Sequence, residues 1–266
     1  MKKKFAFSRK HLAIPYAVFL VVFVIIPLFF VVIYAFSAPG GGFTFNNFAE
    51  AWRMSAFRVL LESILFAFLT TLICFVIAYP IAFILSNPKF NRSYVTVLLF
   101  IVPMWINFML RTYALMTIFE VFFGSGYKGY AAALAGTVYD FLPFMILPIY
   151  TTLSGVDKNF AEASADLGAT PVKTFLRVTF PLSAPGIASG AIMVFMPTIS
   201  SFAIVELLGT KTVLFGTLIN MTYLKARGVS SAMALVMLIL VGLSVFAANK
   251  LANKQGGIAE IKGGAW

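Results

Sequence analysis

Charge, histidine and cysteine are all scarce in this chain. Of its 266 residues 11% are charged, nine are acidic, one is histidine and one is cysteine. A single cysteine, Cys74, set inside an apolar run, excludes a disulfide framework and a thiolate metal site. The lone histidine, His11, lies on a basic flank with no nucleophile, base and orienter set around it, so a solvated, lysine-like role accounts for it. A phosphate-binding loop is missing too. Gly209-Thr210-Lys211-Thr212 lacks the upstream glycine and the strand-to-helix setting that such a loop needs. The chain is therefore expected to be non-catalytic, with no metal and no cofactor of its own, and any ATP must be hydrolysed by another polypeptide.

Apolar residues are abundant instead. They make up 61% of the sequence and raise the mean hydropathy to +0.96, more than a water-soluble domain of this length can hide. The expected fold class is an all-α integral membrane protein. A hydrocarbon core takes roughly 20 apolar residues as helix, and six stretches qualify: Leu12 to Phe36, Ser63 to Ser86, Tyr94 to Phe119, Tyr130 to Leu153, Ala184 to Leu208 and Ser230 to Asn249. They must be helical, because an isolated strand in lipid leaves its backbone groups unpaired. The first apolar run is longer than a signal-peptide core and no small-x-small cleavage site follows it, so it reads as a retained helix. The expected organisation is an N-terminal segment over 1–11, a membrane domain over 12–249 and a tail over 250–266, with no internal repeat or low-complexity linker.

The net charge of +11 suggests nucleic acid only if its distribution is ignored. The basic residues lie along membrane flanks, with no basic module interleaved with aromatics, so lipid headgroups are the expected contact and nucleic acid is not. With the N-terminus inside, the inner segments hold Lys2, Lys3, Lys4, Arg9, Lys10, Lys89, Arg92, Lys158, Lys173, Arg177, Lys250, Lys254 and Lys262. The outer loops hold Arg53, Arg58, Lys128, Lys211, Lys225 and Arg227. That asymmetry predicts cytoplasmic termini.

One polar segment stands apart between the fourth and fifth spans, over 154–185. Asp157 can cap a first helix on which Phe160, Ala163, Ser164 and Leu167 share a face. Gly168 supplies its left-handed end. Thr170-Pro171 then restarts helix as cap and first residue, with Val172, Phe175 and Leu176 on one face and Lys173 and Arg177 on the other. The unit is an amphipathic elbow of two short helices. A helix pair lying on the membrane surface would explain the amphipathicity, yet Asp157, Glu162 and Asp166 would then put negative charge beside an anionic leaflet.

The run Glu162-Ala163-Ser164, then Gly168, then Val178-Thr179-Phe180-Pro181 resembles the signature loop of permease subunits of bacterial ABC importers. Ser164 stands where that family more often has alanine, and Val178 and Phe180 where isoleucine and leucine are usual. Pro103-Met104-Trp105, Leu110 to Ala114, Tyr139 to Tyr150 and Leu207 to Lys211 are similar to the spermidine/putrescine permease family of PotB type. The resemblance implies a type I importer permease fold in a bacterial cell membrane, with Glu162, Ala163, Ser164, Gly168 and Pro181 coupling to an ATPase. It also implies partners: two copies of an ABC ATPase carrying ATP and Mg, a second and different permease, and an extracytoplasmic solute-binding protein. Transport of another small solute, such as an inorganic anion or an iron complex, is the alternative within the class. An ATP-independent secondary transporter is the alternative outside it, and it leaves the elbow unexplained.

A polyamine pathway needs carboxylates, carbonyls and aromatic faces. Ionisable residues inside the expected spans are few, namely Arg111, Asp140 and Glu206, and such residues face a partner or an aqueous cavity. Asp140 and Glu206 are candidates for cation contact, with Trp105, Tyr113 and Tyr139 as aromatic neighbours. Equally, Arg111 and Asp140 lie on consecutive antiparallel helices within reach of each other and can form a structural ion pair. Pro15, Pro27, Pro80, Pro103, Pro143, Pro148 and Pro197 interrupt spans and can kink them. Gly186 and Gly190 form a G-x-x-x-G, suited either to packing within the subunit or to a subunit interface. The loop Gly209 to Val229 is long enough for a lid or a contact with an external partner.

Overall fold

The computed structural model describes residues 13–87, 95–124, 126–157, 159–209 and 213–263, with side chains in those ranges except at 13, 95 and 247–263. The residues Lys2, Lys3, Lys4, Arg9, Lys10, His11, Lys89, Arg92, Lys158 and Lys211 lie outside it, as do the side chains of Lys250, Lys254 and Lys262. The described chain is helical apart from one isolated bridge between Ser37 and Phe43. In order, its helices are α1 (Ile14–Ala35), α2 (Asn46–Arg53), α3 (Ala56–Ser86), α4 (Val95–Ile101), α5 (Phe108–Phe123), α6 (Tyr130–Gly155), α7 (Asn159–Asp166), α8 (Pro171–Ser200), α9 (Ala203–Leu208), α10 (Phe215–Tyr223) and α11 (Arg227–Gly263). Five are long and apolar enough to cross a membrane, namely α1, α3, α6, α8 and the Arg227–Phe246 part of α11. A sixth crossing exists if the bent pair Thr96–Trp105 and Phe108–Phe123 counts as one span.

Three sequence expectations are corrected. The third span is not one helix from Tyr94: after a 3-10 turn over Val102–Trp105, Ile106 is extended and the axis turns by 99° before α5 begins. Pro103 and the side chain of Asn107, which accepts from the Met109 amide at 2.9 Å, end one helix and start the next. The elbow's second limb is not short either, since α8 runs unbroken from Pro171 into the fifth span. A proline ring clashes with the carbonyl four residues back, and here that residue, Arg177 for Pro181, is the middle of a wide π turn over Phe175–Thr179. The same device recurs in α1, where Phe23, four before Pro27, centres a π turn over Val21–Ile25. Finally, the fifth span ends at Ser200 rather than Leu208. After Pro197, the Ser200 hydroxyl donates to the Met196 and Pro197 carbonyls and the Ser201 amide to the Thr198 carbonyl, bonds that replace further helix.

Contacts divide the chain into two units. The first comprises the described residues up to Phe57 with Ile219–Ile239. In it the Asn47 amide group donates to the carbonyls of Ala35 and Ser37, both at 2.9 Å, and so caps the C-terminal end of α1. A Cβ on Gly228 would sit within 3 Å of that side chain. Asn47→Ala leaves these carbonyls without their donor and should destabilise the chain by about 1–3 kcal/mol, read as a lower thermal midpoint in lipid discs.

The second unit, Arg58–Leu218 with Leu240 onward, has α6 against α8 at its centre. Met145, Ile146, Ile149 and Val194 are fully buried there with Cys74 and Ala78 of α3. Gly186 and Gly190 make this possible. A Cβ on Gly186 would meet the Pro148 carbonyl and Thr152, and one on Gly190 the Met145 sulfur at 2.7 Å. The G-x-x-x-G therefore packs within the subunit. Gly186→Val must push the two backbones apart and should cost about 3 kcal/mol, seen as a loss of monodisperse protein.

Candidate functional site

Arg111 and Asp140 meet in the second unit. The 99° bend puts Arg111 and Thr112 near the start of α5, and Asp140 lies in the first half of α6. One guanidinium nitrogen, Nη2, stands 3.1 Å from Asp140 Oδ1, with 8% and 3% of the two side chains exposed. The Thr112 hydroxyl donates to Asp140 Oδ2 at 3.3 Å. The contact is a single approach at ion-pair distance rather than a two-bond fork, and Arg111 Nε, Arg111 Nη1 and Asp140 Oδ1 are all buried without a hydrogen-bond partner among the described residues. The Tyr139 ring lies 6.0 Å from the guanidinium carbon, at the outer limit of a cation–π contact.

The pair borders a cavity of about 300 Å³. Its other walls are the rings of Phe108, Phe141, Phe144 and Phe202 and the end of α8 at Pro197, Ser200 and Ser201. The helix macrodipole leaves partial negative charge at such a C-terminus. The Arg111–Asp140 pair, two serines and four phenylalanines thus line one space, and its carboxylate and aromatic side chains are groups that suit an organic cation with an apolar stem.

The other sequence candidates are not part of this cavity. Trp105 is 84% exposed, in the turn before the bend. Tyr113 is exposed on α5. Glu206 is exposed on the separate helix α9, beyond the break at Ser201 and Phe202, and not at the end of a continuous fifth span. The sequence reading missed Thr112, the phenylalanines and the Ser200-Ser201 pair. The serine pair following Pro197 was the available signal, since two small hydroxyl residues after a proline compete with helix. Nothing in the local sequence distinguishes Phe108 or Phe141 from the other phenylalanines.

The elbow forms a second surface. Asp157 accepts from the Asn159 amide at 3.0 Å at the start of α7, and Gly168 ends the helix at φ +78°. The Thr170 side chain accepts from the Lys173 amide. Ser164 and Thr174 hydroxyls meet at 3.0 Å and fasten α7 to α8, which gives the serine at this position a purpose. Glu162, Ala163, Gly168 and Pro181 are exposed, as are Phe160 and Leu167, the latter at 89%. No described residue lies within 4 Å of a Cβ added at Gly168. Behind the elbow, Phe175 and Phe180 pack on Tyr79 of α3, whose hydroxyl lies 3.1 Å from that of Ser183. These contacts fasten the elbow's α8 limb to α3.

Comparison with known proteins bears on both surfaces. Residues 78–255 match the family described as binding-protein-dependent transport system inner membrane component. The spermidine/putrescine transport system permease protein PotB of Escherichia coli K12 is 32% identical over 240 residues, 80% of this chain and 85% of that protein. PotB of Haemophilus influenzae is 32% identical over 271 residues, 89% of this chain and 92% of that protein. A chain of a bacterial ABC transporter involved in the import of the acidic polysaccharide alginate superposes with a TM-score of 0.73 at 15% identity, covering 92% of this chain and 94% of that one, and so shares the fold. The matched region spans Asp140, the elbow and the break after Ser200, and the chain belongs to the binding-protein-dependent transport system inner membrane components, a family of ABC transporter permeases.

Proposed function

We propose that this chain forms half of the translocation pathway of an ATP-driven importer for polyamines such as spermidine and putrescine. The observation that carries the substrate is the 32% identity to two PotB permeases across 80% and 89% of the chain. The cavity is compatible with it in chemistry, since the Asp140 carboxylate and the end of α8 can receive ammonium groups while the phenyl rings receive methylenes.

In this reading the bent pair α4 and α5 is one crossing, giving six with both termini in the cytoplasm, an orientation supported by the excess of lysine and arginine on one side. The elbow then faces the cytoplasm, and Glu162, Ala163, Ser164 and Gly168 enter a cleft of an ATPase subunit, with Pro181 just behind on α8. Its exposed apolar residues Phe160 and Leu167 fit that role better than a solvated surface. Two ATPase copies bind ATP and Mg, a second and different permease completes the pathway, and a solute-binding protein delivers substrate from outside. Closure of the ATPase dimer pulls the elbow, and α8 and α3 move with it through Tyr79, Phe175 and Phe180.

Uptake of labelled spermidine tests the substrate. A bacterial strain stripped of its own polyamine importers should regain uptake when this chain is expressed with the products of its neighbouring genes, and lose it when the ATPase gene is omitted. Unrestored polyamine uptake alongside import of an anion or iron complex would reject the polyamine reading while retaining the family. Polyamine uptake that persists without the ATPase would instead reject ATP-driven transport.

A further inference from the structure

A polyamine cannot simply enter the cavity beside Asp140, because that carboxylate already has a cation. Arg111 neutralises it at 3.1 Å, and the pair as it stands offers a substrate no net charge. An ion pair built only for stability favours a two-bond fork with its remaining donors satisfied. Here one contact is made, and two guanidinium nitrogens, Nε and Nη1, are buried with no hydrogen-bond partner among the described residues. The neighbouring space is wide enough for a side chain to move, at about 300 Å³. Across it lie Ser200 and Ser201 at the end of α8, a 30-residue helix whose last carbonyls have no intrahelical donor. Of these carbonyls, Pro197 and Thr198 are taken up by the Ser200 hydroxyl and the Ser201 amide. The carbonyls of Ser200 and Ser201 accept no backbone hydrogen bond among the described residues outside the helices, and they lie against Gly216 of α10, so the groups at this helix end that can meet a guanidinium are the serine hydroxyl oxygens and the negative end of the helix dipole.

We propose that Arg111 is a tethered stand-in for the substrate's ammonium group: it occupies Asp140 when the cavity is empty and swings toward the Ser200-Ser201 end of α8 when a polyamine ammonium takes its place. This rests on the polyamine reading above. The exchange keeps Asp140 paired in both states, so neither state leaves a bare carboxylate in a low-dielectric interior. It also supplies release. Return of the guanidinium to Asp140 competes directly with the bound ammonium, which keeps the site weak enough to empty. Arg111 is thereby a residue that sets affinity and turnover in opposite directions, while the Thr112 hydroxyl, 2.9 Å from the Phe108 carbonyl and 3.3 Å from the Asp140 oxygen that Arg111 does not touch, shares one proton between the two.

The test uses the whole complex in lipid discs with its binding protein, following ATP hydrolysis against spermidine concentration for wild type, R111Q, R111K and D140N. Competition lowers apparent affinity by the fraction of sites the resident cation holds, and its removal should lower half-saturation about five- to tenfold in R111Q. The maximal rate should fall with it, because release loses its competitor. R111K keeps a cation but not the planar group beside Tyr139, so half-saturation should fall about two- to threefold on the same reasoning. D140N should lose the spermidine response. Assembled R111Q with unchanged or raised half-saturation would overturn the exchange and leave the pair structural. Should R111Q not assemble, R111K decides, and an unchanged or raised half-saturation there overturns it equally. A wild-type complex deaf to spermidine and putrescine would overturn the polyamine reading and this inference together, whereas a responsive wild type with unaltered variants removes the exchange alone.

Discussion

Gly168→Val is expected to abolish productive coupling, lowering spermidine-stimulated ATP hydrolysis by at least about tenfold while the chain still folds. Gly168 ends α7 at φ +78°. A β-branched residue is poorly tolerated there, at a cost of about 1–2 kcal/mol, and relief of that strain would redirect the chain between α7 and α8. The strain is local and too small to unfold the protein. Gly168→Asn separates backbone from partner, since asparagine accepts a left-handed conformation and no described residue lies within 4 Å of the added Cβ. If a partner's cleft closes over this residue, Gly168→Asn should also lose coupling and should bind the ATPase at least about tenfold more weakly, a penalty of about 1.4 kcal/mol. Pull-down of the ATPase with a tagged chain measures this. Full coupling in both variants would remove the elbow from the ATPase interface.

The second large effect concerns the buried pair. Arg111→Met leaves Asp140 with only the Thr112 hydroxyl as partner, and removal of one member of a buried pair costs about 3–5 kcal/mol. The expected result is a sharp fall in thermal midpoint or a failure to accumulate. Arg111→Met with Asp140→Leu removes both charges and should recover most of the lost stability, because an apolar pair of similar volume is often no worse than a buried ion pair. The doubly substituted protein should nevertheless fail to transport spermidine. Stability and transport thus separate in the double variant, which a purely structural pair would not produce. Recovered transport along with recovered stability would take Asp140 out of the pathway.

Much of this architecture could be read from composition, and the places where it could not share a cause. Continuous apolar runs located α1, α3, α6 and the membrane part of α11, because a helix that meets lipid or its neighbours on all sides needs no polar face. Hydropathy carries no information on whether such a run is bent. It joined Tyr94 to Phe119 across the 99° turn and Ala184 to Leu208 across the break at Ser201. Prolines marked both regions, yet Pro143 and Pro148 also lie in α6, which continues through them. At the first break Asn107 caps the following helix, whereas the bond from Ser200 to the Pro197 carbonyl has a counterpart in α6, where Thr151 donates to the Pro148 carbonyl and the helix continues. The π turn before Pro181 shows the converse, a proline absorbed without a break.

At the site, scarcity was the useful signal. Three ionisable residues inside the expected spans made Arg111 and Asp140 conspicuous, and antiparallel neighbours of similar depth put them within reach. Glu206 was equally conspicuous, and the break after Ser200 puts it on α9, outside the lining of the cavity beside Asp140. The phenylalanines of the cavity were invisible in a chain that has thirty of them. The elbow was the most legible part, since capping residues, glycine and face periodicity all act locally, as Asp157, Gly168 and Thr170 do.

ATP hydrolysis by the complete complex in lipid discs, with its binding protein present and spermidine, putrescine and unrelated solutes compared, measures the central claim most directly. Stimulation by a polyamine that disappears when the binding protein is left out is the predicted result. Stimulation only by an unrelated solute, or hydrolysis indifferent to polyamine, would contradict it.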